Sequence, residues 1–302
     1  MSTGAAIAIR ALTKRYGRLT AVRDLDLNVE VGEIFGFLGV NGAGKSTTIR
    51  ILLDFVRPTA GRASILGHDC QTEGLAARAA VGYLPGELGF YEDMTGEAVL
   101  DVTARLSGAD TVREVYRREL ADRLELSASD LGRRIRDYST GMKRKLGIVQ
   151  AFQADPSMLV LDEPTEGLDP LMQEAFYTLL ADVRRRGRTV FMSSHVLSEV
   201  ERVCDRIAVI RKGTLVLLST VGDLRRIAAR RVRVIFDAVA PPPALPDGCE
   251  LVDSAPTEWR VRVRGPLGPL LARLEGLAVR DLEVHEVPLE EVLKPYYRED
   301  TT

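Results

Sequence analysis

A glycine-rich segment at residues 39–47, GVNGAGKST, contains the residue types that bind nucleotide phosphates. Its spacing fits G-x-x-x-x-G-K-[ST], in which main-chain N–H groups surround the phosphate oxygens and the lysine reaches the β and γ phosphates. The hydroxyl of Ser46 is predicted to bind Mg²⁺, and the positive end of a following helix would face the phosphates. The residues predicted to contact a nucleoside triphosphate here are Gly39, Asn41, Gly42, Ala43, Gly44, Lys45, Ser46 and Thr47.

A second segment, MLVLDEP at residues 158–164, ends an apolar run with two adjacent carboxylates. At the end of a buried strand, Asp162 can approach Mg²⁺ while Glu163 lies where a water beside the γ-phosphate is polarised. Alone, such an acidic pair is more typical of a helix start. The phosphate loop upstream favours the catalytic interpretation, which makes Ser46 and Asp162 metal ligands and Glu163 a general base.

Three other features have ordinary structural explanations when each is taken alone. The segment YSTGM at residues 138–142 precedes a basic helix, where a serine is a common N-cap. His195 follows an apolar run and could be an ordinary polar residue at a strand end. Tyr16 precedes a glycine, as aromatic residues that pack on turns often do. Only their order along the chain gives them a functional meaning.

That order resembles the ABC ATPases over roughly residues 5–217: phosphate loop, helical insertion, S-x-G before a helix, DE, GLD and a His after a strand. The resemblance implies ATP and Mg²⁺ as ligands. It also implies that Ser139 and Gly141 contact ATP as the family's signature and that His195 contacts the γ-phosphate and steadies the attacking water. Asp169 of GLD would belong to the nucleotide site, and Tyr16 would stack on adenine.

Three positions depart from the family pattern. The signature is YSTGM in place of LSGGQ, although Ser139 and Gly141 are retained, and Glu166 precedes GLD where serine is commoner. In GYLPGE, Gly86 stands where the family has a glutamine that contacts Mg²⁺ and water. Either a water fills that position on Mg²⁺, or Glu87 takes it. A glycine there could also adopt a positive φ, which would make alanine a poor probe.

The elements that must position these motifs alternate between strand and helix after residue 158, which predicts a parallel sheet covered by helices. Alternating apolar residues before the phosphate loop predict strands at 7–12 and 25–31. The predicted fold is therefore α/β, a P-loop NTPase of the ABC type with a mostly parallel sheet core, an antiparallel β part and a helical insertion at about residues 87–153.

The last eighty or so residues have a different pattern. We predict strands at 232–236, 259–263 and 282–287 and helices at 267–277 and 289–297, with the loop PPPALP after the first strand. The predicted domains are thus an ATPase domain at 1–219 and a small C-terminal accessory α+β domain at 220–302. The tail VPLEEVLKPYY at residues 287–297 resembles the region after the cassette in drug and antibiotic exporters.

Composition narrows the function classes. The 302 residues are 45% hydrophobic and 28% charged, which supports one sizeable core and a second smaller one. A formal net charge of -2 does not favour a nucleic-acid partner. Three separated cysteines without a C-x-x-C pair argue against a disulfide framework or a zinc site. Because no apolar run reaches the ~18 residues that a membrane span needs, we expect a cytoplasmic protein.

The family resemblance implies an ATP-binding and hydrolysing subunit of a transporter, of the exporter type by its tail. One cassette per chain implies a homodimer or paired cassette on ATP binding. Integral membrane permease subunits would hold the chain peripherally at the cytoplasmic face, docked between the Gly86 region and the helical insertion. The alternatives are a non-transport ABC ATPase acting in translation or DNA repair, and a nucleotide-binding module without hydrolysis. Fused cassettes or a long coiled coil, which mark the non-transport types, are missing from the sequence.

Overall fold

The computed structural model describes residues 4–106, 114–240 and 244–297. The chain divides into two compact units, Met1–Leu218 and Ser219–Thr302, and we propose that these are the two predicted domains. Residues 107–113 of the predicted insertion and 241–243 of the PPPALP loop lie outside the described residues. No helix within the described ranges is long and apolar enough to cross a bilayer.

The elements of the first unit alternate as follows. In its first half they are β1 (Ala5–Tyr16), β2 (Leu19–Glu30), β3 (Ile34–Leu38), α1 (Lys45–Leu52), β4 (Ala60–Ile65), β5 (His68–Asp69), α2 (Gly74–Ala79), β6 (Val81–Leu84), α3 (Gly96–Leu106) and α4 (Glu114–Arg123). They continue with α5 (Ala128–Leu131), a 3-10 helix (Ile135–Asp137), α6 (Thr140–Phe152), β7 (Met158–Asp162), α7 (Pro170–Arg185), β8 (Thr189–Ser194), α8 (Leu197–Val203), β9 (Arg206–Arg211) and β10 (Thr214–Thr220).

The first unit has an antiparallel sheet in the order β2-β1-β4-β5 and a second, largely parallel sheet in the order β10-β9-β3-β8-β7-β6. Every residue of β3, β7 and β8 is buried. Strands that are covered on both faces lack polar alternation, which is why these three appear in the sequence as continuous apolar runs.

The neighbours β3, β8, β7 and β6 run parallel to one another, so their carboxyl ends meet at one edge of the sheet. Each is followed by a predicted site segment: the phosphate loop after β3, His195 after β8, Glu163 after β7 and Gly86 close after β6. Ligands of open α/β sheets bind at this edge. The topology therefore brings together residues that lie more than 150 positions apart.

The insertion is more broken than the helical run predicted from 97 to 126. The chain turns at Glu125, which has φ 51, after α4 ends. A new helix, α5, then starts with a capping box between Ser127 and Asp130. The hydrophobic spacing predicted the helical content, but it did not show this turn.

The second unit is built on an antiparallel sheet in the order β12-β13-β11-β14. Trp259 lies fully buried in its core, with the indole N–H donating to the carbonyl of Ala240 at 2.9 Å. Its elements are α9 (Val221–Ile227), β11 (Arg230–Phe236), β12 (Cys249–Ala255), β13 (Glu258–Val263), α10 (Gly268–Leu274), β14 (Val279–Glu286) and α11 (Leu289–Tyr297). Neither α9 nor β12 was among the predicted elements; β12 is a sheet edge with mostly exposed residues and gives little apolar alternation.

Candidate nucleotide-binding and catalytic site

The phosphate loop requires glycine at two positions because other backbone comes too close. A Cβ on Gly44, which has φ 113, would lie 2.5 Å from the carbonyl oxygen of Ala21. A Cβ on Gly39 would lie 2.6 Å from the carbonyl oxygen of Ile210. Real Cβ atoms do not make such contacts, so a larger residue at either position would displace the loop. The loop conformation is therefore fixed by the strands around it.

A cavity of about 600 Å³ opens beside this loop. The predicted site residues that line it are Tyr16, Asn41, Gly42, Gly44, Lys45, Ser46, Thr47, Asp162 and Glu163. Gly86, Glu87 and Glu166 line it as well. Tyr16 is 45% exposed at one side, with its ring available for stacking. The phosphate-loop residues and both carboxylates predicted from the sequence thus share one wall-to-wall space.

Other predicted residues lie outside this cavity. Gly39 and Ala43 are buried in the loop itself. Ser139 caps α6, its hydroxyl accepting from the N–H of Met142, and Asp169 caps α7 in the same way through Met172. Gly141 faces Gly167, whose carbonyl oxygen would be 3.4 Å from an added Cβ. Within the described part of one chain, the signature residues and Asp169 therefore do not reach the nucleotide cavity.

The carboxylate of Glu163 is held between two other predicted site residues. One oxygen lies 3.1 Å from the Lys45 ammonium, and the other lies 2.8 Å from Nδ1 of His195. Lys45 also donates to the carbonyl of Gly39 at 2.6 Å. Because the lysine and glutamate side chains are largely buried, their attraction is less screened than on the surface. The predicted base, phosphate ligand and switch histidine form one connected group.

The backbone at Glu163 is in the left-handed region, with φ 49. A residue other than glycine in such a conformation costs on the order of 1–3 kcal/mol and persists only where its surroundings hold it. Ser193, which lies opposite Asp162 on β8, provides one hold: its hydroxyl accepts from the N–H of Glu163 at 3.1 Å and donates to Asp162 Oδ1 at 2.5 Å. Ser193 was not predicted as a site residue, although it lies in the same SSH segment as His195.

Arg144 was also missed, because the KRK run around it is typical of an exposed basic helix face. The structure instead buries Arg144 to 3% exposure beneath the loop after β7. Burial lowers the pKa of its guanidinium, and the nearby carboxylates of Glu166, Asp162 and Glu163 oppose that shift. Arginine keeps its charge even so. A buried cation therefore lies directly behind the predicted acidic pair.

The donor set fits a magnesium ion that keeps several waters. Ser46 is exposed at the start of α1, and Asp162, at 6% exposure, lines the same cavity. A hydroxyl and a carboxylate are the hard oxygen ligands that Mg²⁺ prefers alongside phosphate and water. Burial raises the pKa of nearby Tyr83 to about 12, with a contribution from Asp162, so its phenol is neutral at this wall.

Gly86 does not have the positive φ considered above; that expectation is wrong. A Cβ there would lie 3.6 Å from Asp162 Oδ2, which is an ordinary contact. Alanine therefore fits without strain, and the absence of a side chain is not imposed by the backbone. Glu87 is exposed and also lines the cavity. The choice between water and Glu87 as the replacement for glutamine stays open to experiment.

We expect Glu87→Ala to keep its steady-state ATPase rate within a few-fold of the parent, because water satisfies Mg²⁺ at a vacant position. Phosphate release at saturating Mg²⁺ and ATP measures this. Gly86→Ala is the matched control, since it fills space beside Asp162 without adding a ligand and should melt like the parent. A folded Glu87→Ala protein with almost no turnover would identify Glu87 as the substitute ligand.

Comparison with known sequences places this site in a family. The ABC transporter family pattern matches residues 22–166. The chain is 38% identical over 222 residues to the daunorubicin/doxorubicin resistance ATP-binding protein DrrA of Streptomyces peucetius, covering 73% of this chain and 67% of that protein. It is 36% identical over 218 residues to the bacitracin transport ATP-binding protein BcrA of Enterococcus faecalis, covering 71% and 69%.

An uncharacterized ABC transporter ATP-binding protein of Nostoc sp. is 37% identical over 209 residues, covering 68% of this chain but 62% of that protein. The chain thus spans about two thirds of the length of the curated relatives it matches. A solved ATP binding subunit of an ABC transporter superposes with a TM-score of 0.67 at 30% identity, covering 73% of this chain and 92% of that one. With the same motifs at one sheet edge, the chain belongs to the family of ABC transporter ATP-binding proteins.

Proposed function

We propose that this chain binds and hydrolyses ATP to power an exporter whose membrane-spanning parts are separate subunits. The supporting observation is the single cavity in which the phosphate loop, Asp162 and Glu163 meet. The relatives' names, bacitracin transport and daunorubicin/doxorubicin resistance, support export of a small toxic compound rather than uptake. The chain would then lie at the cytoplasmic face of a membrane, held there by its permease.

Each site residue has a definite task in this proposal. Lys45 would bind the β and γ phosphates, which then replace Glu163 as its anionic partner. Released from Lys45, Glu163 accepts the proton of the attacking water, while His195 holds its other oxygen. Ser46 and Asp162 would hold Mg²⁺, which when bound neutralises charge developing on the phosphates. Tyr16 supplies a stacking face for the base.

The position of the signature residues supports a two-chain site. Ser139 and Gly141 do not line the cavity of their own chain. A second copy facing the first would bring its signature to the ATP held by the other phosphate loop. ATP that is bound between two copies favours the closed pair, and hydrolysis favours reopening. This cycle would drive the membrane subunits.

An apolar groove next to the nucleotide cavity gives those subunits a place to dock. The groove has a volume of about 300 Å³ and lies between the segment Pro85–Tyr91 and α3. Its apolar lining includes Leu88, Phe90, Tyr91, Met94, Val102 and Leu106. The segment runs directly from Gly86 in the cavity to Tyr91 in the groove. We propose a short helix of the permease as its occupant.

Substituting exposed groove residues should separate the chain from its permease. Tyr91 and Leu106 are 79% and 81% exposed, so Tyr91→Asp and Leu106→Asp should fold while placing a charge in an apolar contact. The measurement is copurification with co-expressed hydrophobic proteins from neighbouring reading frames, each expected to have about six spans. The matched control is Leu75→Asp, since Leu75 is 83% exposed and lies outside the groove.

Two results would contradict this part of the proposal. One is copurification that both groove variants leave intact, which would move the docking site elsewhere. The other is an active ATPase that never associates with any polytopic membrane protein. That second result would favour the alternative of a non-transport ABC ATPase.

A further inference from the structure

Arg144 on α6 uses all of its hydrogen-bond donors on main-chain carbonyls. Nε donates to Pro164 at 3.0 Å, and Nη1 donates to Pro85 at 2.8 Å and Gly86 at 3.1 Å. Nη2 donates to Asp162 at 3.1 Å and to Glu163. A guanidinium has five N–H groups, so this set is complete. One buried side chain therefore joins three segments: the start of α6, the Gly86 segment and the loop after β7.

This arrangement differs from that of most buried arginines, which are paired with a carboxylate. Here three of the carbonyls come from consecutive residues, 162–164, and they converge on one cation. Consecutive carbonyls of an extended strand point to opposite sides. The left-handed φ of 49 at Glu163 breaks that alternation. The guanidinium and the unusual backbone conformation thus depend on each other.

We propose that Arg144 is a positioning residue for hydrolysis, which holds the backbone of Glu163 so that its carboxylate faces the phosphate loop. The inference rests on the proposed role of Glu163 as the base. Arg144 lies too deep to touch the nucleotide, and it acts through the loop that carries Glu163. Ser193 holds the N–H side of that loop, and Arg144 holds the carbonyl side.

The same side chain also supplies a connection at the position where glutamine is missing. Gly86 has no side chain to reach the metal site, but its carbonyl shares Nη1 of Arg144 with Pro85. A displacement of the Gly86 segment therefore acts on the guanidinium and, through it, on the backbone of Glu163. In this chain, a main-chain link through Arg144 connects the groove side of the site to its base.

The test compares Arg144→Met and Arg144→Lys with the parent. Methionine has a similar length and no donors, whereas lysine keeps the charge but loses the planar fork. We expect kcat to fall by roughly 10²-fold for methionine, as for a small misplacement of a catalytic group, and less for lysine. The dissociation constant for MgATP should stay within a few-fold of the parent. Lys145→Met is the matched control, because Lys145 is the next residue of α6 and pairs with Glu125.

A second measurement separates positioning from general stability. In the Glu163→Gln background, Arg144→Met should lower the residual rate by less than a factor of two, because the base through which Arg144 acts is already gone. Equal losses in both backgrounds would overturn the proposal, as would an unchanged kcat in folded Arg144→Met protein. Failure of both arginine variants to fold would also overturn it, by making Arg144 a residue of stability. If Glu163→Gln alone kept its turnover, the proposed base would be wrong instead.

Discussion

Glu163→Gln protein is expected to bind ATP normally and to lose steady-state turnover by about 10²–10⁴, the usual contribution of a positioned base. Glutamine has the shape of glutamate but cannot accept a proton from water. In the structure the carboxylate contacts both Lys45 and His195, so the substitution removes a charge from the centre of the site. ATP that is not hydrolysed should then hold two chains together.

Phosphate release and size-exclusion chromatography with Mg²⁺ and ATP measure the two effects. Glu174→Gln is a suitable control, because Glu174 is an exposed glutamate on α7 that pairs with Arg202 outside the cavity. It should leave turnover and the monomer–dimer balance unchanged. Turnover above about a third of the parent rate in the Glu163 variant, far above the loss expected for a base, would remove Glu163 from this role.

Mixing two inactive proteins should restore activity. Lys45→Ala lacks a working phosphate loop, and Ser139→Ala lacks a working signature. Because Ser139 does not line the cavity of its own chain, the site needs a signature from a second chain. A heterodimer of the two variants holds one intact loop facing one intact signature, so up to one working site should return. Steady-state phosphate release at increasing ratios of the two proteins measures this recovery.

A chain that carries both substitutions provides the control. Mixed with the Lys45→Ala protein, it forms no pair with an intact loop, and no activity should return. Subunit exchange is followed independently with differently labelled chains. If exchange is complete and the Lys45 and Ser139 variants still show no recovery, the two-chain arrangement is wrong.

Much of the nucleotide-binding unit could be predicted because its strands are buried on both faces. Residues 158–162 are all apolar until the terminal carboxylate, and such a run has few alternatives to a central parallel strand. The glycines of the phosphate loop were equally clear, since Gly39 and Gly44 are required by close backbone contacts. By contrast, the edge strand β12 has one weakly covered face and gave no usable periodicity.

The supporting residues of the site could not be predicted for a different reason. Arg144 has the sequence context of an exposed basic residue, and only the path of the chain after β7 buries it. Ser193 gains its role from its register opposite Asp162, which no local pattern encodes. Motifs identify the side chains that would face the nucleotide. They do not identify the groups behind them that fix the backbone.

The left-handed backbone at Glu163 places catalysis and thermal stability in opposition at one residue. Glycine adopts φ 49 without steric cost, and asparagine tolerates it better than glutamate does. Neither can accept a proton from water. A search for more heat-resistant variants of this protein would therefore be drawn, at position 163, toward residues that end hydrolysis. Activity has to be screened alongside melting temperature wherever this loop is varied.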